Sequence, residues 1–199
     1  NIQMYAQQMA EKVMEEKQAD SVSVILMNPQ NGEILAMVNA PEFNLNDPFT
    51  LNADASGVTD EEKQNLLNQM WRNGCINDTY EPGSTFKIPC VYAPALDALN
   101  KTLATTYVDE PFKYDDGAPV KNADNTFRGP TTIRKAIQDS VNVVAVKCLT
   151  EITPQLAYEY IRNFGFTTVI EREVQENGDV WSDLYQSMAL GGLIRGVTN

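Results

Sequence analysis

The chain has 199 residues, enough for one domain with a sizeable core, and its 43% hydrophobic and 21% charged content excludes disorder over most of its length. A net charge of −12 disfavours nucleic acid and anionic lipid as partners. The chain contains no histidine, which removes Ser-His-Asp and Cys-His catalysis and every histidine-based metal site. A nucleophilic serine here must give its proton to another group, and lysine is the candidate. Cys75, Cys90 and Cys148 lie far apart without CxxC spacing, so no disulfide, metal site or cofactor is expected. No window resembles a signal peptide or a transmembrane span.

Residues 2–18 place Ile2, Tyr5, Met9 and Val13 on one face, which predicts an amphipathic helix packed through those residues. Two apolar runs, Ser21 to Met27 and Glu33 to Val38, flank Asn31-Gly32 and read as a β-hairpin. Both strands are apolar on both faces, so they are expected inside a sheet covered by helices. Residues 39–62 form a long connection rich in Asn, Asp and Pro, of the length that tends to be functional. A short helix follows from Asp60 to Trp71, with Leu66, Leu67 and Met70 inward.

Tyr80 to Ser84 reads as a turn opening a helix to about Leu99, which Pro94 should kink or end early. Residues 105–130 read as irregular, with turns at Asp115-Asp116-Gly117 and Asn122 to Asn125. Thr132 can cap a helix to about Gln138, and after a break near Ser140 another runs from Val143 to Ile152. Thr153-Pro154 opens a further helix ending at Gly165. A turn at Asn177-Gly178-Asp179 precedes the small residues Ala189 to Gly192. Trp71 and Trp181 read as packing residues, with Trp181 also placed to line a cleft. Glu171, Glu173 and Glu176 read as a solvated acidic face.

Ser84 and Lys87 stand at i and i+3 where a helix begins, which puts both side chains on one face. A helix N-terminus supplies N–H groups for an oxyanion, and a partly desolvated lysine can act as base. A chain of this length contains roughly one Ser-x-x-Lys by chance, so a capping serine and a solvated lysine are the plain alternative. Ser140-Val141-Asn142 sits at a helix break, where a hydroxyl can relay a proton and an amide can hold a carbonyl. Turn chemistry is the plain alternative there.

Together these motifs resemble the signature of penicillin-binding transpeptidases and serine β-lactamases. Tyr80-Glu81-Pro82-Gly83-Ser84-Thr85-Phe86-Lys87 is similar to that family's nucleophile segment. So are Thr132 to Lys147 around Ser140-Val141-Asn142, the hairpin from Asn31 to Met37, and Ala189-Leu190-Gly191-Gly192 to Thr198. The resemblance implies an α+β fold: an antiparallel sheet flanked by helices, plus a mainly helical subdomain. Residues 1–199 would be a partial transpeptidase domain, with 84–165 mainly helical and 19–40 and 166–199 associated with the sheet. It also implies a function: acyl transfer from D-Ala-D-Ala stem peptides of peptidoglycan, at the extracytoplasmic face of a bacterial membrane. Ser84 would be the nucleophile, Lys87 its base, Ser140 the proton relay and Asn142 a substrate holder. β-Lactam antibiotics would acylate Ser84. D,D-carboxypeptidase or β-lactamase activity through the same acyl-serine, or a non-catalytic β-lactam sensor or scaffold, are the alternatives.

The sequence departs from the family pattern in two ways. No Lys-Thr-Gly or Lys-Ser-Gly follows Ser140, so the domain is expected to be incomplete at its C-terminus and weakly active or inactive as it stands. Residues 1–88, with Met70-Trp71-Arg72-Asn73, resemble monofunctional class B enzymes. Residues 91–198, with Tyr92 to Asp97 and the Gly-Gly tail, resemble bifunctional class A enzymes. The balance leans to class A, whose glycosyltransferase domain would lie upstream in a membrane-anchored parent.

Overall fold

The structure, a computed structural model, describes residues 1–52 and 56–198. Residues 53–55 of the long connection and Asn199 lie outside the described residues. Two compact units divide the chain, Asn1–Asp78 and Thr79–Thr198.

In the first unit, helix α1 (Ile2–Lys17) ends where Gln18 turns left-handed at φ 51°. Strands β1 (Val22–Met27) and β2 (Ile34–Ala40) pair antiparallel, with a register shift between Leu26 and Met27. Asn28 closes the connecting turn, accepting from Gly32 N–H and donating to the Glu33 carbonyl, both at 2.8 Å. The packed stripe of α1 is Ala6, Ala10 and Met14 against Val22, Val24, Val38 and Ala40. Ile2, Tyr5, Met9 and Val13 are exposed, contrary to the sequence expectation. The reason is close approach: the small alanines let the helix lie on the strands, and Gln3 exchanges two 2.9 Å hydrogen bonds with the Met37 backbone. Leu26, Met27, Ile34 and Leu35 are likewise exposed, so the hairpin is not the fully covered sheet interior that its composition suggested. Helix α2 (Asp60–Met70) buries Leu67, and the four-residue α3 (Gly74–Asn77) follows. Trp71 is half-buried, donating from Nε1 to the Pro48 carbonyl at 2.8 Å, with its ring against the edge of Phe49.

The second unit holds the larger core. A 3-10 turn (Gly83–Phe86) runs into a π turn (Ile88–Tyr92) and then α4 (Ala93–Asp97). The expected interruption at Pro94 takes this form: a proline ring would collide with the carbonyl four residues back, and widening the turn moves that carbonyl aside. Residues 105–130, read as irregular, instead contribute to four short strands: β3 (Thr106–Asp109), β4 (Phe112–Lys113), β5 (Pro119–Val120) and β6 (Gly129–Thr132). β3 pairs with β6 and β4 with β5, both antiparallel.

Helix α5 (Ile133–Gln138) is capped by Thr132, whose hydroxyl accepts from Lys135 N–H at 3.2 Å. Helix α6 (Asn142–Ile152) buries seven of its 11 residues, so it is the unit's central helix rather than an amphipathic surface one. Helix α7 (Pro154–Asn163) is capped by Thr153. A β7–β8 hairpin (Glu173–Val174, Val180–Trp181) turns at Asn177-Gly178-Asp179, and the 3-10 helix Gln186–Leu190 leads into the tail. Trp181 stands exposed on that hairpin rather than packed. Glu173 pairs with Arg195 at 2.6 Å, and Gln155 donates to Glu171. All three cysteines are free and buried.

Candidate active site

The site lies within the second unit and starts from a tightly seated turn. Tyr80 and Val197 exchange backbone hydrogen bonds of 2.9 and 2.8 Å. At Gly196 a Cβ would stand 2.4 Å from the Tyr80 carbonyl oxygen, and at Gly191 one would stand 2.4 Å from the Gly83 oxygen. No real Cβ tolerates such a contact, so these glycines let the tail lie directly against the chain that leads into Ser84. Gly83 itself is left-handed at φ 57°, a conformation without penalty for glycine.

The 3-10 turn then decides the fate of two side chains. With three residues per turn, positions i and i+3 eclipse, so Ser84 and Lys87 leave the backbone on the same side. Ser84 is exposed, whereas Lys87 is 2% exposed. Phe86 anchors the turn in the core, edge-on to Phe166 with ring centroids 5.3 Å apart.

Lys87 reaches across to the break between α5 and α6. Its Nζ donates to the Ser140 carbonyl at 2.8 Å, to Ser140 Oγ at 3.0 Å and to Asn142 Oδ1 at 2.7 Å. An ammonium has three N–H donors, and these three acceptors match them. Ser140 presents its carbonyl and hydroxyl together because its backbone is left-handed at φ 52°. That conformation costs a residue with a Cβ about 1–2 kcal/mol, and strain of this kind collects at functional sites. Asn142, the first residue of α6, has its amide oriented by a second bond, Nδ2 donating to the Lys121 carbonyl at 2.8 Å.

The structure therefore brings Lys87, Ser140 and Asn142 into hydrogen-bond contact, although 53 and 55 residues separate the motifs. No direct hydrogen bond joins Ser84 Oγ to Lys87 Nζ, because the ammonium is turned toward the three oxygens of the α5–α6 break. Burial pushes the Lys87 amine down to about 8, since desolvation penalises its charged form. At pH 7 the cation then still prevails by about tenfold. An exposed hydroxyl, a lysine that loses its proton near pH 8 and a second hydroxyl within reach of that lysine can together perform acyl transfer to serine.

Two residues of this region are invisible to sequence reasoning. Asn122, read as a turn residue, and Asp109, unremarked, are 4% and 1% exposed and bonded to each other behind Asn142. No local signal marks either one. A cavity of about 490 Å³, lined by Phe112, Val120, Lys121, Asn122 and Phe127 among others, opens beside them. Among the described residues, no group of three or more His, Cys, Asp or Glu could hold a metal ion.

Comparison with known proteins converges on one family. Residues 22–193 match the model of the penicillin binding protein transpeptidase domain. Stage V sporulation protein D of Bacillus subtilis is 30% identical over 159 residues, 80% of this chain and 22% of that protein. A probable peptidoglycan D,D-transpeptidase PenA of Neisseria flavescens is 28% identical over 82% of this chain and 36% of its own length. Penicillin-binding protein 1A of Clostridium tetani is 38% identical over 43% of this chain and 12% of that protein. The chain thus spans about a third or less of these relatives. The crystal structure of a D,D-transpeptidase domain of a peptidoglycan glycosyltransferase from Eggerthella lenta superposes with TM-score 0.62 at 26% identity, over 82% of this chain and 37% of that one. The transpeptidase domain of Burkholderia pseudomallei penicillin-binding protein 3 superposes with TM-score 0.63 at 23% identity, over 95% of this chain and 50% of that one, a likeness of fold. A family match that runs from the first strand almost to the last glycines, over the same order of elements, leaves one assignment: this chain belongs to the penicillin-binding protein transpeptidase family.

Proposed function

We propose that the chain is part of a D-Ala-D-Ala transpeptidase that cross-links peptidoglycan through an acyl-enzyme on Ser84. The observation that carries this reading is the contact of Lys87 Nζ with Ser140 Oγ and Asn142 Oδ1, one 3-10 turn from an exposed Ser84. Lys87, once neutral, takes the proton of Ser84 as Oγ attacks the carbonyl of the penultimate D-alanine. A side-chain rotation of Ser84 or one water closes the gap between them. The tetrahedral adduct collapses with cleavage of the C–N bond. The proton passes from Lys87 through Ser140 to the departing amine of the terminal D-alanine. The amine of a second stem peptide then attacks the ester and releases Ser84, with the proton steps reversed. Asn142 holds the stem peptide near its amide while its Oδ1 keeps Lys87 in place.

A β-lactam offers the same serine a strained cyclic amide, so it is the second expected ligand. Residues 84–165 form the mainly helical part of the domain in this reading, and 19–40 and 166–199 its sheet-associated parts. The parent polypeptide is a membrane-anchored protein acting at the extracytoplasmic face, with a glycosyltransferase domain upstream. Support for that last feature is the similarity to penicillin-binding protein 1A and to the Eggerthella lenta domain. No helix among the described residues is long and apolar enough to cross a membrane.

Intact-mass and peptide analysis after prolonged incubation with benzylpenicillin tests the reading. A covalent adduct on the Ser84 peptide, absent in Ser84→Ala, is expected. An adduct elsewhere, or none in this chain or its parent polypeptide, would overturn it. Rapid loss of the adduct to water would replace the transpeptidase by a D,D-carboxypeptidase or β-lactamase.

A further inference from the structure

Asn142 occupies the N-terminus of α6, and the residue before it cannot cap the helix. Val141 has no side-chain acceptor. The first N–H groups of a helix have no partners inside it, and leaving such a group buried and bare is costly. Here the acceptor comes from another part of the chain. Asn122 Oδ1 accepts from Asn142 N–H at 2.9 Å and from Val143 N–H at 3.3 Å.

Asn122 is itself held. Its Nδ2 donates to both Asp109 carboxylate oxygens, at 2.9 and 3.0 Å, and to the Thr126 carbonyl at 2.8 Å. Asp109 also accepts from Arg128 N–H at 3.0 Å, and the Arg128 guanidinium stands 3.6 Å from it. The same guanidinium lies 3.7 Å from Asp139, the residue before Ser140. The neighbour of Asn122 completes the hold, because the Lys121 carbonyl takes Asn142 Nδ2. That bond leaves Oδ1 as the end of the Asn142 amide that faces Lys87.

We propose that Asn122 is a positioning residue for the lysine base. Anchored by Asp109, it fixes the start of α6, and through Asn142 it fixes the side chain of Lys87. The proposal deepens the functional reading above and rests on it for the rate measurement. A purely structural Asn122 would lower stability and leave Lys87 unchanged.

Three variants separate the two. Asn122→Ala removes the acceptor at α6. Asp109→Asn, of nearly the same shape, weakens only the anchor, replacing one of the two acceptor oxygens by a donor and removing the charge. The exchange D109N/N122D restores a donor at 109 and an acceptor at 122. The readouts are the acylation rate constant at saturating benzylpenicillin, the ¹³Cε resonance of Lys87 in lysine-labelled protein, and the melting temperature. N122A should slow acylation about 10- to 100-fold, as expected when a reacting group is misplaced by a fraction of an ångström or more. It should also shift the Lys87 resonance, and the exchange should recover much of both. Thr59→Ala, at the cap of α2 in the first unit, should lower the melting temperature without either change. Acylation of N122A within about twofold of wild type, an unmoved Lys87 resonance, or an exchange that recovers nothing would overturn the proposal. Should N122A fail to fold, D109N carries the same two readouts. Should neither wild type nor its parent polypeptide take an adduct, the functional reading fails, and the Lys87 resonance alone decides the positioning role.

Discussion

Helices α2 and α6 are both 11 residues long, and they begin in opposite ways. Thr59 caps α2 with a reciprocal box: its hydroxyl accepts from Glu62 N–H at 3.2 Å, while the Glu62 carboxylate accepts from Thr59 N–H at 2.7 Å. The Thr59 N–H first, and then the Thr59 hydroxyl, which donates to the same carboxylate at 2.9 Å, hold the Glu62 carboxyl below its usual value. Every partner lies within four residues and at the surface. The α6 terminus borrows Asn122 from 20 residues away, and the acceptor is buried. A local cap stabilises only its own helix. A remote cap also ties the helix's first residue to another part of the fold, and in α6 that residue is Asn142, the neighbour of Lys87.

The largest expected effect is at the end of that chain of contacts. Lys87→Met removes the proposed base and leaves the oxygens of Ser140 and Asn142 without their donor, and acylation of Ser84 should fall about 10²- to 10⁴-fold in stopped-flow or mass-spectrometric assays. The same variant tests how far burial disfavours the cation. The folded state holds the amine near 8 against an ordinary value of 10.5, so between these values the unfolded chain binds more protons. Stability should therefore rise with pH across that window, by about 3 kcal/mol in total for this one group. Cys90, Tyr92 and Tyr107 are pushed up by burial and act in the opposite sense at high pH. The quantity to measure is thus the difference between wild type and K87M in urea unfolding at pH 7 and pH 10. The rise should vanish in the variant.

How much of this could be read beforehand depended on how local the cause was. Thr132, Thr153-Pro154 and Gly165 marked helix ends correctly because capping acts over three or four residues. Ser84 and Lys87 were legible because their spacing is one turn. Ser140 and Asn142 were legible as a motif, though their contact with Lys87 depends on tertiary structure. The stripe of α1 was misread because large apolar residues outweighed Ala6 and Ala10, whose value is close approach rather than area. Strands of two to four residues carry too few positions for alternation to show. Asp109 and Asn122 look like a surface acid and a turn amide. They meet only because β3 pairs with β6 and folds the intervening loop back on itself.

Smaller effects sharpen the contrast. Gly191→Ala would set a Cβ against the Gly83 backbone and strain a φ of 78°, costing about 1–3 kcal/mol in urea unfolding. Because the displaced chain precedes Ser84, acylation should slow as well. Thr59→Ala should cost about 1 kcal/mol and leave acylation of the folded protein unchanged.

The central claim is that Lys87, held by Ser140 and Asn142, serves Ser84 as base, and the pH dependence of Ser84 acylation by benzylpenicillin tests it most directly. The acylation rate constant should climb about tenfold per pH unit from pH 6 and level off near 8, as the buried amine gives up its proton. A rate that is flat from pH 6 to pH 9, or one that levels only near the ordinary lysine value of 10.5, would contradict it.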